Sequence, residues 1–339
     1  MRILAIESTA HTIGVSVVSS SARSAKAVSL RNTEVLSNER AKYPSTDRGY
    51  IPRQLADHHA KKYAGVLEAA LRKSKTAPEE LDCIAYTQGP GIGHCLRVGF
   101  VAANSLSKTL EVPLVPVNHA IAHVEVGNWA CGTKDPLVIY VSGGNTQIAA
   151  KTEVREKRKY AVLGETLDIG IGNFLDVLGR EFKCAPPDAV GLLEEAAKGG
   201  NLFDLPYTVK GVDLAFAGLL TAVTRAVGGK KTSRRDACFS SVQNAFAMLV
   251  EASERVLCHT RNGELLLVGG VAQSKTLQEM YSLMAREQGA KSFVVPAQYA
   301  GDQAGMIGIT AVKQVLAGME YGNYEPNQDL RIDAQEIPW

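Results

Sequence analysis

At 339 residues the chain is long enough to bury a large core in two lobes or domains. Its 45% hydrophobic and 21% charged residues describe an ordinary soluble globular protein, and a net charge of +2 leaves no strong electrostatic footprint. Composition alone therefore does not point to a nucleic-acid partner, which would have to be held by local patches or accessory subunits. No apolar run approaches the roughly 18 residues of a membrane span, and the opening residues read as a strand rather than a signal peptide. Six scattered cysteines (Cys83, Cys95, Cys131, Cys184, Cys238, Cys258) form no C-x-x-C pair and read as reduced core thiols of a cytoplasmic protein.

In chain order, Ile3 to Val17 (ILAIESTAHTIGVSV) reads as strand, polar turn, strand. Ser19 to Lys26 is a surface turn into another strand, and Lys42 to Pro52 has the composition of an ordered loop. Gln54 to Leu71 carries helical spacing through Leu55, His59, Tyr63, Val66 and Leu67. Thr76 to Glu79 caps a short helix, and a strand from Cys83 to Thr87 ends in Gln88-Gly89-Pro90-Gly91-Ile92-Gly93 before a helix from about Cys95 to Leu110. Strand–glycine loop–helix units place anions at helix N-termini, so this loop and Arg97 are candidates for holding a phosphate or the two lobes. The alternative is a tight connection, since the spacing matches neither the Walker pattern nor G-x-G-x-x-G.

Leu114 to Val117 is the next strand, and Asn118 reads as the N-cap of a helix carrying His119 and His123. Four residues apart on a helix, both imidazoles share one face and can share a metal ion, although such pairs also occur as plain surface or core residues. Pro136 to Ala150 (PLVIYVSGGNTQIAA) follows closely and is the organising hairpin: Leu137 to Val141, a turn of Ser142, Gly143, Gly144 and Asn145, then Thr146 to Ala150. Its glycines let consecutive N–H groups approach an anion. The first hairpin matches it, with Ser8 on Ser142, His11 on Asn145 and Thr12 on Thr146, which suggests a duplicated α/β lobe, or else two ordinary hairpins with polar turns.

Beyond the hairpin a helix–loop insertion is expected, with Lys151 to Lys159 as a charged hairpin tip. Gly164 to Asp168 reads as the cap of a helix bearing Asp168, Gly172 and Asp176, whose acids would line one face, for ribose hydroxyls or simply for solvent. Leu205 to Gly218 reads as a loop and Arg234 to His259 as a long buried helix. The strand Leu265 to Val268 runs into Gly269-Gly270-Val271-Ala272-Gln273-Ser274, a junction suited to seating an adenosine. Asp302 precedes an apolar helix, Met306 to Leu316.

Repeated phosphate hairpins, a glycine-pair junction and an acid before the last helix resemble the duplicated actin-like ATPase fold (ASKHA, ribonuclease H-like), an α/β fold of two lobes. Within it NHAIAH, YVSGGNTQ, GETLDIGIGN with Asp176, TQGPGIGHCLRVG, YTVKG-x-D and GGVA resemble the universal tRNA threonylcarbamoyladenosine transferase family. That family is called TsaD in bacteria and is the catalytic subunit of the KEOPS complex in archaea and eukaryotes. SGGNT and Tyr140 resemble the archaeal/eukaryotic branch, and the resemblance covers nearly the whole chain. The lobes expected are residues 1–134, completed by 304–339, and residues 135–303 with a helical insertion.

By this resemblance His119, His123, Tyr140 and Asp302 hold one iron(II) or zinc ion, a nitrogen and oxygen donor set that suits either. The implied reaction transfers a threonylcarbamoyl group from threonylcarbamoyl-AMP to N6 of the adenosine 3′ to the tRNA anticodon, releasing AMP without a covalent enzyme intermediate. Ser142, Gly143 and Gly144 would hold the phosphate, Asp176 the ribose, and Gly269 and Gly270 the adenine end of an ATP/AMP-type nucleotide. The family's PGGP-x-x-E segment appears here as Pro186 to Leu193, with Ala189 at a glycine position and Leu193 at the glutamate position, unless Glu194 takes that role. Ser274 replaces an asparagine and Gln303 follows Asp302. The implied partners are tRNA, a small protein kinase/ATPase subunit and a small dimer-forming subunit, with Lys151 to Lys159 and Lys230 to Arg235 as RNA-facing patches and no membrane. The alternatives are a small-molecule kinase on the same scaffold, a nucleotide-binding scaffold without activity, and a metalloprotease. The last would need a glutamate where Ala120 stands.

Overall fold

A computed structural model describes residues 1–21, 30–44, 49–154 and 156–339. The turn expected at 19–26 and the loop expected at 42–52 lie in part outside the described residues.

β1 (Arg2–Glu7), β2 (Thr12–Ser20) and β3 (Thr33–Lys42) form an antiparallel meander, β1 and β2 being joined by the short polar turn between their two apolar runs. β4 (Cys83–Gly89) then lies parallel to β1, and β5 (Leu114–Asn118) parallel to β4, which gives the order β3-β2-β1-β4-β5. Parallel neighbours need crossovers, and helices α1 (Pro52–Ser74) and α2 (Gly93–Leu110) supply them. The second half repeats the plan. β6 (Leu137–Val141), β7 (Thr146–Val154) and β8 (Lys157–Glu165) form the meander, and β11 (Glu264–Val268) and β12 (Lys291–Val294) add in parallel on the other side of β6. The order β8-β7-β6-β11-β12 and its strand senses reproduce the first sheet. This is the duplicated ribonuclease H-like arrangement of an actin-like two-lobe fold.

In the second half the place of α1 is taken by α4 (Ile171–Glu181), α5 (Ala189–Ala197), the short hairpin β9 (Val209–Lys210) and β10 (Asp213–Leu214), α6 (Ala217–Gly228) and α7 (Arg234–Thr260). α8 (Lys275–Glu287) corresponds to α2. Each sheet is followed by one more helix: α3 (His119–Cys131) after β5, and α10 (Ala304–Leu316), after the single-turn α9 (Ala297–Ala300), following β12. These two lie against each other between the sheets, in a core that joins Ile3, Ala5 and Val18 of one sheet to Val138, Tyr140, Leu266 and Val268 of the other. α3 is therefore buried all round from His119 to Asn128. A Cβ at Gly308 of α10 would collide with the Val18 side chain, so only glycine permits this approach.

One sequence expectation is refined, one is corrected and one open alternative is decided. The expected charged hairpin tip at Lys151 to Lys159 ends β7 and starts β8, and the expected helical insertion begins only after this third strand, because Lys157 to Glu165 pairs with β7. Asp168 lies before α4 rather than on it, so Asp168 and Asp176 share no helix face; its carboxylate instead accepts from the Phe216 and Ala217 N–H groups at the start of α6 (2.8 and 2.9 Å). The Gly89–Gly93 loop is a tight connection. The Ile92 N–H donates to the Thr9 carbonyl (2.8 Å) and that of Gly91 to Gln328 (3.2 Å), which leaves neither for an anion.

After α10 the chain runs back across both halves. The Asn327 N–H donates to Gln88 (2.8 Å), Arg331 pairs with Glu165 (3.2 Å), and the Ile337 N–H donates to Arg158 (2.8 Å). No helix among the described residues is long and apolar enough to cross a membrane.

Candidate metal centre and nucleotide cleft

Asn118 caps α3 as its sequence predicts, its side chain accepting from the N–H groups of Ala120 (2.9 Å) and Ile121 (3.2 Å). That anchors the first turn of the helix, from which His119 and His123 project together with ring centroids 4.7 Å apart. Asp302 arrives from the turn before α10, whose own cap is the buried Gln303 accepting from the Met306 N–H (3.1 Å). Its Oδ1 lies 3.3 Å from His123 Nε2 and 3.6 Å from His119 Nε2, and the three residues offer ligand atoms within 4.8 Å of one another.

Tyr140, at the end of β6, lays its ring against His123 with centroids 5.2 Å apart. Its hydroxyl and His123 Nδ1 are buried, and neither has a hydrogen-bond partner of good geometry among the described residues. Burial pushes the phenol pKa up, against the opposing pull of the Ser142 and Asn145 side chains. Burial also lowers the pKa of His123, which keeps the imidazole neutral, the form that ligates a metal. Burial would do the same to His119, but the carboxylates of Glu7 and Asp302 raise it. Asp302 would be raised by burial and is instead held well below the carboxylate range by the two histidines. Two imidazoles and a carboxylate with ligand atoms within 4.8 Å of one another, and an unpartnered buried phenol against one of the rings, fit an ion of the nitrogen- and oxygen-loving kind, iron(II) or zinc.

Sequence reading missed Glu7. Fully buried at the end of β1, it takes the Thr9 N–H (2.7 Å), the Thr87 hydroxyl (2.7 Å) and His119 Nδ1 (3.1 Å). This fixes the His119 tautomer and turns Nε2 toward Asp302. The available signal was an acid closing an otherwise apolar strand, ILAIE.

The turn of Ser142, Gly143 and Gly144 stands beside this centre with both glycines exposed. It is seated on the start of α4, where the Gly172 N–H donates to the Ser142 carbonyl (3.2 Å) and that of Asn173 to Gly143 (2.8 Å). A Cβ on Gly172 would strike the Ser142 carbonyl and lie 2.7 Å from Gly143 Cα. Gly269, at φ +95°, brings the Gly269-Gly270 junction against the Val141 carbonyl, so the two glycine turns meet. A cleft of about 420 Å³ opens on the Gly144 side of the hairpin turn, with Ala120, Gly144, Asn145, Thr166 and Arg331 among its walls; Gly269, Gly270, Asp176 and the metal-centre side chains do not line it.

The expected nucleoside residues are less tightly grouped. Asp176 is half-buried, with one oxygen accepting from the Ala189 N–H (2.8 Å), and burial raises its pKa. Ala189 and Leu193 pack against the second-lobe core, while Glu194 is exposed. Ser274 stands at the start of α8, but its hydroxyl caps nothing there.

The profile of the family described as TsaD, tRNA N6-adenosine threonylcarbamoyltransferase, matches residues 33–309. A protein of that name from Ignicoccus hospitalis is 42% identical over 345 residues, covering 100% of both chains. The "Probable bifunctional tRNA threonylcarbamoyladenosine biosynthesis protein" of Methanocaldococcus jannaschii is 43% identical over 99% of this chain and 60% of its own. Among solved structures, HypF of T. kodakarensis superposes with a TM-score of 0.57 at 14% identity, over 94% of this chain and 48% of that one, a likeness of fold alone. With a profile match over most of its length and a full-length relative at that identity, the chain belongs to the TsaD family of tRNA N6-adenosine threonylcarbamoyltransferases.

Proposed function

We propose that the chain transfers a threonylcarbamoyl group from threonylcarbamoyl-AMP to N6 of the adenosine 3′ to the tRNA anticodon, using one iron(II) or zinc ion held by His119, His123, Tyr140 and Asp302. The observation that carries this reading is the meeting of two histidines and a distant aspartate within 4.8 Å, beside a glycine turn open to an anion. When bound, the ion supplies Lewis-acid stabilisation of charge on the carbamoyl or phosphate oxygens.

The chain's own residues align the donor. Gly143 and Gly144 receive the phosphate, the Gly269-Gly270 junction seats the adenine, and the free oxygen of Asp176 and the Ser274 hydroxyl hold the ribose end. N6 bonds to the carbamoyl carbon as the bond to the phosphate oxygen breaks; AMP departs and N6 releases one proton. Alignment and charge stabilisation supply the rate, and no side chain is acylated. The walls of the cleft are the two lobes, residues 1–134 with 304–339 and residues 135–303.

In this reading the chain is the catalytic subunit of a KEOPS-type assembly, working with a small protein kinase/ATPase subunit and a small dimer-forming subunit. Its net charge of +2 supports that division of labour, because tRNA would be gripped largely by the assembly. The test is formation of modified adenosine from threonylcarbamoyl-AMP and tRNA with the partner subunits, with metal content measured on the same samples. His119→Ala is expected to lose the metal and nearly all product. Equal product from His119→Ala and wild type removes the ion from the mechanism.

A further inference from the structure

Among the described residues two carboxylates are fully buried, and only Glu7 has been given a task. The other, Glu125, sits on α3 two residues beyond His123. Its Oε1 accepts from the Tyr160 hydroxyl of β8 (2.6 Å) and the Trp339 indole N–H (2.9 Å), and its Oε2 takes the Lys313 ammonium of α10. Lys313 is itself buried. Three segments remote in sequence thus converge on one side chain of the helix that carries both histidines.

We propose that Glu125, through Lys313, is a positioning residue for the metal centre: the pair locks α3 and α10 in the one relative placement that brings His119, His123 and Asp302 together. The inference rests on the metal-centre reading given above. Within their apolar contact, α3 and α10 are joined by polar side chains at two separated points. One is Asp302 against the histidines, at the start of α10; the other is Lys313 against Glu125, about three turns further along α10. Apolar packing already holds the two helices together, and the second polar contact adds a fixed register to it at the end of α10 away from Asp302. Net stability does not explain the arrangement, because desolvating a buried ion pair offsets most of its attraction and apolar side chains of similar volume serve as well. What the pair adds, and apolar packing lacks, is a defined partner and direction. The Tyr160 and Trp339 donors both engage Oε1, so the carboxylate is held in place from outside the two helices as well.

The test measures zinc affinity by chelator competition and the cobalt(II) absorption spectrum on the full chain, alongside thermal unfolding of the metal-free protein. Glu125→Gln and Lys313→Met are expected to weaken zinc binding roughly ten- to hundred-fold, the range for partners that orient metal ligands. Both should alter the cobalt spectrum. Lys313→Arg, which keeps the charge, should recover most of the affinity, while Lys198→Met, which removes an exposed ion pair elsewhere, should match wild type. Folded Glu125→Gln and Lys313→Met with wild-type affinity and spectrum overturn the proposal. If Glu125→Gln does not fold, the difference between Lys313→Met and Lys313→Arg decides: no difference overturns the proposal, and a difference upholds it. Wild type that takes up neither ion overturns the metal-centre reading and this inference with it.

Discussion

A side chain acquires its chemistry here from what burial denies it and what its neighbours restore. Glu7 is desolvated completely, which alone would raise its pKa, yet the His119 imidazole brings it below the ordinary carboxylate value. Replacing it by glutamine keeps the shape and removes the charge that selects the His119 tautomer. Glu7→Gln is therefore expected to bind zinc roughly ten- to hundred-fold more weakly in chelator competition, with little change in secondary structure. His59 shows burial without compensation: it is fully enclosed on α1, and neither ring nitrogen has a partner among the described residues. Burial, and then His58, lower its pKa to about 4, against a raising field from Glu7. Because the folded value lies below the unfolded one, the stabilisation is fully present above about pH 6.5 and is lost as pH falls toward 4. Between pH 7 and 5 this amounts to on the order of 1–2 kcal/mol. Thermal unfolding of His59→Leu should consequently depend less on pH over that interval than wild type does.

At the scale of elements, the glycine turns take their shape from other elements that come close to them. Ser142 to Gly144 is held open by the N-terminus of α4, and the packing leaves no room for a side chain at Gly172. Alanine at that position favours the helix by roughly 1 kcal/mol while pushing its Cβ into the Ser142 carbonyl. Gly172→Ala should thus weaken binding of threonylcarbamoyl-AMP about tenfold or more, the loss of one or two charge-assisted hydrogen bonds, and leave zinc affinity intact. Calorimetric titration with the adenylate reads this directly. Much of this scale was legible in the residues. Asn118 before HAIAH announced its cap, and the strands on either side of SGGN lie where their apolar runs put them. Asp168 was misplaced because an acid before a helix can cap that helix or another one, and the N-terminus of α6, nearly fifty residues on in sequence, claimed it.

At the scale of the whole molecule, the charged segments differ in how much charge they leave free. In 151–159, Lys151 pairs with Asp135 (2.8 Å), Lys157 with Glu336 (2.6 Å) and Arg158 with Glu153 (2.7 Å). In 230–235, Arg234 and Arg235 donate to the backbone carbonyls of Lys183 and Gly199, while Lys230 and Lys231 are exposed. Reversing Lys230 and Lys231 to glutamate should therefore weaken tRNA binding in the assembly proposed above and flatten its salt dependence by about 1 per lysine in log–log slope. Reversal of Lys157 should do less, since its charge is already countered. Affinity measured across a salt series separates the two.

The residues by themselves determined the parts that depend on near neighbours: two strand–turn–strand hairpins, a capped helix with two histidines one turn apart, and glycine junctions after strands. Local periodicity and turn chemistry act over a few residues, so a single chain displays them openly. Only the tertiary structure decided that these parts close into one site. Glu7 is 112 positions from His119, and Asp302 is 179 from His123. Nothing in the spacing of either pair states that they touch, and for Asp302 only a family resemblance pointed to the partnership. The two sheets enclose α3 and α10 as a shared middle layer, and burial there removes the water that would otherwise satisfy a lone carboxylate or imidazole. Polar groups so enclosed must find one another, and where they meet is set by how the two lobes pack.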